Sequence, residues 1–481
     1  MDNTVKIMDN PLNFNKHPFV IECYYQNSKK ERVTMSELAL FGGPKAVKTE
    51  NPDMFKWPIV TKEDEEAVLD VLRKGAMSGT DITKQFEKEF ADWMGVKYAL
   101  AFNNGTASLM AAMYGVGVRK GDEIICPTIT YWASCTQAMA LGATVVFANI
   151  DKTTLCIDPD DIERKITPRT KAIVVVHYLA HPCDMDRIMA IAKKHNLKVI
   201  EDLSHAQGGL YKGRKLGTFG DATGISLMSG KSFAIGEGGM LLTNDRSVYE
   251  HAIALGLYER FTKDEITCED LKPYTGLPLG GYKFRMHQMS SAVGRVQLKY
   301  YDERCAEIRK AMNYFWDLLE GVPGIRAHRV DESTGSNMAG YYVPYGIYNS
   351  AELGGLSVSR FCEALQAEGV ETKGGANAPL HTHGVFQTAD IYGDGKPTRI
   401  ANSPEDIRKF DDNLQPAEEI GPTLFSVPWF KKFIPAEIEE YANAFKKVVA
   451  NYTELLEGDQ GDPAQISGWH FFKHTEKQSK I

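Results

Sequence analysis

A chain of 481 residues, 43% hydrophobic and 25% charged, holds enough apolar sequence for more than one packed core. Its net charge of −8 lacks the basic excess that phosphate-backbone binding draws on, so no nucleic-acid partner is expected. No apolar run approaches about 18 residues, and residues 1–19 lack a basic head followed by an apolar stretch. Neither a membrane span nor a secretory signal is expected, and a cytoplasmic location is.

Residues 1–38 are polar and read as an irregular N-terminal extension. Residues 39–284 read as a large domain. Within it, short β-branched runs alternate with helical stretches: "KYALAF", "DEIICP", "ATVVFANI", "KAIVVVHYL", "LKVIED", "ATGISLM" and "GGMLLTN". Most of these runs are apolar throughout, as strands covered on both faces are. Between them lie "TASLMAAMYGVG", a helix opened by Thr106, and "DMDRIMAIAKKHN", a helix with Asp184 as N-cap and a basic last turn. The alternation predicts an α/β fold, a seven-stranded mostly parallel sheet with helices on both faces. Ligands of such sheets bind beyond the carboxyl ends of the strands.

Residues 285–456 read as a smaller C-terminal α+β domain. "SSAVGRVQLKYYDERCAEIRKAMNYFWDLLEGV" predicts one long amphipathic helix or two, "GYYVPYGIYN" a strand, and "SRFCEALQAEGV" and "EIEEYANAFKKVVANYTELL" further helices. A polar insertion with Gly and Pro occupies 391–415, and 457–481 reads as a flexible tail. The eight cysteines form no C-x-x-C pair and several fall in apolar runs, which fits buried reduced thiols better than disulfides or zinc.

The stretch "SLMSGKSFAIGEGGM", 226–240, poses the chemical question. A phosphate loop needs four residues between its first glycine and the G-K-[ST] end. Here five separate Gly224 from Gly230, and "ISLMS" is strand-like where a glycine-rich turn belongs. The other reading makes Lys231, just past a strand's carboxyl end, a nucleophile toward a carbonyl, given desolvation or a neighbouring charge to lower its pKa. A solvated surface lysine is the plain alternative.

Three companions bear on the choice. Asp202 ends the apolar strand of "VIEDLSHAQG", either as a helix N-cap or as a carboxylate paired with a protonated pyridine nitrogen. "FNNGTASL" is either an ordinary strand-to-helix turn or an anion site made by the free N–H groups at Gly105 and Thr106. Tyr131 in "TITYWAS" is either a core aromatic or a ring that stacks on a flat cofactor. Lysine, acid, anion turn and aromatic, each at a different strand end, together describe a pyridoxal phosphate pocket.

This set, with "MSELALFGGPKAV", "FEKEFADWMGVKYALAFNNGTASL", "GDEIICPTITYWAS", "EDLSHAQG", "SLMSGKSFAIGEGGMLLTND" and "YKFRMHQMSSAVGRVQL", closely resembles the DegT/StrS-type sugar aminotransferases from about residue 35 to about 455. The resemblance implies the type I pyridoxal-phosphate fold and a homodimer with shared active sites. It implies Lys231 as the residue that carries the cofactor and shuttles the proton, and Asp202 as the ring-nitrogen partner. His205 would lie near the ring, and Tyr131 would stack on it, with Trp132 in reserve. Gly105, Thr106, Ala107 and Ser226 would hold the phosphate. Where the family places an asparagine from the partner subunit, this chain has Lys283, in "GYKFRM".

Family members with histidine in place of the lysine are dehydratases, so Lys231 implies transamination. "EDLSHAQG" with "GEGG" and the later "LFSVPWF" look closest to the branch that aminates keto cyclitols from glutamine, although "PWF" also reads as core packing. The function implied is transfer of an amino group from glutamate or glutamine to a keto sugar or keto cyclitol. The alternatives are a dehydratase of the same fold and a non-catalytic cofactor-binding regulator. His381 and His383 in "LHTHG", and His181 with Cys183, lack further ligands at metal spacing, and no metal is expected.

Overall fold

Leu100 and Phe102 pack into one hydrophobic core, while Ala99 and Ala101 pack into another. This is the two-residue period of a strand whose faces are both covered. The computed structural model describes residues 36–403 and 414–468, together with the backbone of Val20–Ile21 and Val33–Thr34, which pair antiparallel.

Seven strands form the central sheet: β1 (Tyr98–Phe102), β2 (Glu123–Pro127), β3 (Thr144–Ala148), β4 (Thr170–Val176), β5 (Lys198–Asp202), β6 (Ala222–Ser226) and β7 (Gly239–Thr243). Their spatial order is β1-β7-β6-β5-β4-β2-β3. Every neighbouring pair is parallel except those made by β7, which runs against both β1 and β6. Each apolar run singled out in the sequence overlaps one of these strands, so the expected mostly parallel α/β sheet is what forms.

Helices cover both faces. α1 (Lys62–Arg73) begins in a capping box in which Thr61 and Asp64 satisfy each other's backbone N–H groups. α2 (Asp81–Met94) sends Phe86 and Phe90 into the core that contains Ala99 and Ala101. α3 (Gly105–Gly115), buried almost all round, fills the opposite core. α4 (Met185–His195) starts at the expected cap, Asp184, which accepts from the Arg187 N–H at 3.3 Å. α5 (Arg246–Gly256) packs beside α3.

α6 (Gln288–Leu318) is one continuous helix rather than two, running from α1 and α2 toward the C-terminal unit. That unit holds the antiparallel strands β8 (Ile325–Ala327), β9 (Tyr345–Tyr348) and β10 (Leu424–Ser426) with α7 (Val358–Ala367) and α8 (Pro435–Ala450). β9 is shorter than "GYYVPYGIYN" suggests. Ala339, Tyr341 and Val343 have φ of 45°, 56° and 40°, so the backbone before Tyr345 alternates into the left-handed region and cannot pair as a strand.

Most of residues 1–38 lies outside the described residues, as do 404–413 within the insertion. The segment from 457, expected to be flexible, makes defined contacts as far as Gly468. Asp459 accepts from the N–H and hydroxyl of Ser357 at 2.8 and 2.6 Å. Asp462 accepts from the Ser359 N–H, and Gly468 bridges to Asn377. Residues 469–481 lie outside the described part. The seven described cysteines are unbridged, and all but Cys268 are buried. No described helix is long and apolar enough to cross a membrane.

Candidate active site

The carboxyl ends of β5 and β6, the start of α3 and the turn after β2 converge on a cavity of about 220 Å³. Lys231, Asp202, His205, Tyr131, Gly105, Thr106 and Ser226 all line it. Five of these seven come from three separate strand ends or the turns that follow them, where a sheet of this kind places its ligand, and Gly105 and Thr106 open α3.

Lys231 lies in the connection between β6 and β7. Its N–H donates to the Met228 carbonyl at 2.8 Å, and no helix follows, so the "GKS" triplet is not a phosphate loop. Its neighbourhood is pinned from three sides. The Trp57 indole N–H donates to the Lys231 carbonyl at 2.9 Å, and Ser232 bonds both Gln207 and Tyr301 at 2.8 Å. The side chain is 7% exposed. Its Nζ donates to Tyr342 Oη at 3.1 Å and sits 4.3 Å from the centre of the Tyr342 ring.

Asp202 is 4% exposed, and no helix follows it, so it caps none. Ser134 donates its hydroxyl to Oδ2 at 2.7 Å, and the Ser204 N–H donates to Oδ1 at 3.0 Å. Since Ser134 gives its proton to Asp202, the Thr130 hydroxyl donates to Ser134 at 2.8 Å. A buried carboxylate held by two donors stays oriented toward the cavity. Strand alternation turns the preceding Glu201 to the other face. There Glu201 meets His177 and accepts from the N–H groups of Gly217, Phe219 and Gly220. Burial opposes its charge, but these donors bring its pKa below the ordinary carboxylate value.

His205 is buried at the cavity wall. Burial, helped by the charge of Lys231, pushes its pKa well below the ordinary histidine value, so the ring is neutral. Nδ1 accepts from the Leu179 N–H at 3.3 Å, which leaves the proton on Nε2. The ring stacks on Tyr342 with centroids 4.2 Å apart.

The anion turn is built by Asn104 rather than by Thr106. Asn104 caps α3, its Oδ1 accepting from the Ala107 N–H at 2.8 Å. The expected helix start therefore moves two residues upstream, because the asparagine supplies the better-placed oxygen. Ala107 does not line the cavity, and its N–H is committed to this cap. The N–H groups of Gly105 and Thr106 have no partner among the described residues and, with the Thr106 and Ser226 hydroxyls, lie at the positive end of α3. A Cβ on Gly105 would come within 2.6 Å of the Ser226 Cβ, so only glycine lets α3 start this close to β6.

Tyr131 lines the cavity, while its reserve, Trp132, is 40% exposed and does not. Lys283 is exposed and lies away from this chain's cavity, 5.9 Å from the Tyr258 ring centre. His381 bonds Thr128 through Nδ1 at 2.6 Å and Glu418 through Nε2 at 2.8 Å, so its ring bridges two elements.

The far side of the cavity was not legible in the sequence. It consists of Leu179, Tyr342, Val343, Tyr345 and Asn377. Leu179 and Ala180 have φ of 50° and 71°, and Tyr341 and Val343 are also left-handed. Each such non-glycine residue costs about 1–2 kcal/mol and persists because its surroundings fix it. The only sequence signal was the dense tyrosine run 341–345, which reads equally well as core.

Taken together, the cavity offers an amine, a buried carboxylate, a neutral imidazole, flat aromatic faces and a helix N-terminus with two hydroxyls. That donor set fits pyridoxal phosphate: the α3 terminus suits its phosphate, Asp202 its ring nitrogen and Lys231 its aldehyde carbon.

Comparison with known proteins points the same way. The family model described as the DegT/DnrJ/EryC1/StrS aminotransferase family matches residues 58–404. The spore coat polysaccharide biosynthesis protein SpsC of Bacillus subtilis is 36% identical over 278 residues, covering 56% of this chain and 70% of that protein. The L-glutamine:scyllo-inosose aminotransferase of Streptomyces griseus is 30% identical over 444 residues, 87% of this chain and 99% of that protein. The X-ray structure of an aminotransferase from Psychrobacter cryohalolentis superposes with a TM-score of 0.71 at 30% identity, covering 83% of this chain and 99% of the other. A family match of this span, carried through nearly the whole length of a relative, establishes that the chain belongs to the DegT/DnrJ/EryC1/StrS aminotransferase family and that its cofactor is pyridoxal phosphate.

Proposed function

We propose that this aminotransferase moves an amino group from glutamine or glutamate to a keto cyclitol or keto sugar. The observation that carries the reading is the meeting of Lys231 and Asp202 in one buried cavity at the carboxyl ends of β5 and β6. The end-to-end likeness to a glutamine-dependent scyllo-inosose aminotransferase supports the donor and the ring ketone.

When bound, pyridoxal phosphate supplies the electron sink for the charge left on the donor's carbon. Asp202, oriented by Ser134 and Ser204, keeps a proton on the cofactor's ring nitrogen. Gly105, Thr106 and Ser226 would hold its phosphate, Tyr131 would cover its ring and the neutral His205 would border it. Lys231 Nζ takes the proton from the donor's carbon and returns it one step later, and Tyr342 Oη, 3.1 Å away, steadies the amine between those transfers.

The working protein is read as a cytoplasmic homodimer in which Lys283 reaches the partner's phosphate site and supplies the cation that the local N–H donors lack. The test is a donor and acceptor screen with the purified, cofactor-loaded protein, followed by absorbance. Glutamine or glutamate alone should shift the visible band to shorter wavelength, and a ring ketone should reverse it. A spectrum unmoved by every donor, with water lost from a sugar substrate, would replace transamination by dehydration.

A further inference from the structure

We propose that Gln207 is a positioning residue for the transfer: its side-chain amide ties the turn that carries Lys231 to the turn that carries His205, and so sets where Lys231 stands relative to Asp202. The proposal rests on the aminotransferase reading above.

Gln207 follows Asp202 by five residues in "EDLSHAQG" and is 0% exposed. Its Nε2 donates to two carbonyls, that of Ser226 at 2.9 Å and that of Ser204 at 3.1 Å. Its Oε1 accepts from the Ser232 hydroxyl at 2.8 Å. The amide stands only this way round, because an oxygen turned toward two carbonyl oxygens would have no proton between them. All three partners adjoin the chemistry. Ser204 gives its N–H to Asp202, Ser226 ends β6 at the cavity, and Ser232 directly follows Lys231.

The backbone does not make this link. β5 and β6 pair as far as Asp202 and Gly224, and the Leu203 N–H donates to the Gly224 carbonyl at 3.0 Å. The Ser226 N–H then turns to the Ser204 hydroxyl at 2.9 Å. Beyond Ser226 the Lys231 turn closes on itself, with Ser229 donating to Gly236 and Ile235 to Leu227, both at 2.9 Å. Among the hydrogen bonds of the described residues, the one from Ser232 to Gln207 alone joins the turn after β6 to the turn after β5. Tyr301 of α6 backs it, donating to the Gln207 carbonyl at 2.9 Å and lying 2.8 Å from Ser232 Oγ.

A buried amide with every hydrogen-bonding group engaged has one orientation, and it imposes one on the groups bonded to it. Proton transfer by Lys231 needs Nζ within reach of the donor's carbon while Asp202 holds the far end of the ring. A misplacement of about 1 Å between such groups costs about 100-fold in rate.

The experiment compares cofactor-loaded Gln207→Met, Ser232→Ala and the double variant with the parent. Phe445→Leu, in the core beneath α8, controls for lost stability. The first readout is the circular dichroism of the visible band. A flat chromophore acquires that signal from a fixed asymmetric setting, so both single variants should lose part of it at unchanged absorbance per bound cofactor. The limiting rate of the glutamine half-reaction should fall about 10- to 100-fold in Gln207→Met and about 10-fold in Ser232→Ala. Half-saturating glutamine should stay within about 2-fold. The double variant should be no slower than Gln207→Met, because the two changes cut one link. Phe445→Leu should lower Tm and leave dichroism and rate alone.

Parent-like dichroism and rate in Ser232→Ala, or additive losses in the double variant, would overturn the proposal. So would the same spectral and kinetic losses in Phe445→Leu, since Gln207 would then serve stability only. Should Gln207→Met fail to fold, Ser232→Ala decides alone. A parent protein unmoved by glutamine and glutamate would remove the function proposed above, and the dichroism would still decide the role of Gln207.

Discussion

The two sides of the cavity are made differently. The near side, with Gly105, Tyr131, Asp202, His205 and Lys231, hangs on the ends of four strands of one sheet, β1, β2, β5 and β6. The far side, with Leu179, Tyr342, Tyr345 and Asn377, is gathered from stretches up to 199 residues apart in sequence, as the contact between Tyr178 and Asn377 shows. It also carries the left-handed residues of the site. The contrast suggests a division of labour. Regular strands fix the chemistry that every substrate shares, and irregular backbone shapes the surface that tells substrates apart.

That division can be broken from either side. Lys231→Ala has the largest expected effect: both half-reactions should fall by about 10⁴-fold or more. Borohydride reduction of the parent protein with peptide mapping should place the cofactor on Lys231, and a label on another lysine would remove it from the mechanism. Asp202→Ala should keep the fold and lose about 10²–10³ in turnover, measured by stopped-flow with glutamine alone. Ser134→Ala, which removes one of the two donors that orient Asp202, should lose about 10-fold. Were Ser134→Ala as damaging as Asp202→Ala, the carboxylate would be a relay rather than a fixed charge.

On the other side, Tyr342→Phe should cost only about 2- to 10-fold, because Lys231 keeps its proton-moving role without that partner. A loss equal to that of Lys231→Ala would dissolve the distinction between the two sides. Lys283→Ala sharpens it differently. Mixed with Lys231→Ala after reversible dissociation, it should yield hybrid dimers with one intact site and up to about half the parent activity. No recovery together with a fully active Lys283→Ala protein would remove the cross-subunit contact.

The smallest effect concerns acid stability. Burial, with the neighbouring His181 as a second cause, lowers the His328 pKa to about 3. The unfolded chain therefore binds a proton that the native protein refuses between about pH 6.5 and 3. The stability tied to His328 is fully present above about 6.5 and is lost as pH falls toward about 3. His328→Gln, whose amide can still donate to the Thr154 carbonyl, should flatten that part of the pH–Tm profile.

The near side could be read from sequence because each of its residues follows an apolar run, and the run itself marks the strand end. Even there one detail escaped: Thr106 was the expected helix start, and Asn104, two residues earlier, holds the cap. The seven strands were legible for the same reason, since covered strands are apolar throughout. The far side offered no such marker. Tyr342 sits among Tyr341 and Tyr345, three similar side chains with different fates. Tyr341 bonds Asn313, Tyr342 meets Lys231, and Tyr345 lines the cavity. Backbone turns into the left-handed region decide among them, and spacing in the sequence does not record those turns. Asn377 depends on Gly468, so its place is set only once the chain has folded back on itself.

β7, the one strand that runs against its neighbours, has a further consequence. Because it returns directly alongside β6, Ser226 pairs with Gly239, and the loop that carries Lys231 is closed at its base by its own flanking residues. Closing a short loop costs little chain entropy, and here adjacent strands meet that cost without help from distant parts of the molecule. The segment 226–239 is therefore a self-contained cassette within the fold, in which loop length and sequence around Lys231 can vary while the order of the other strands stays the same.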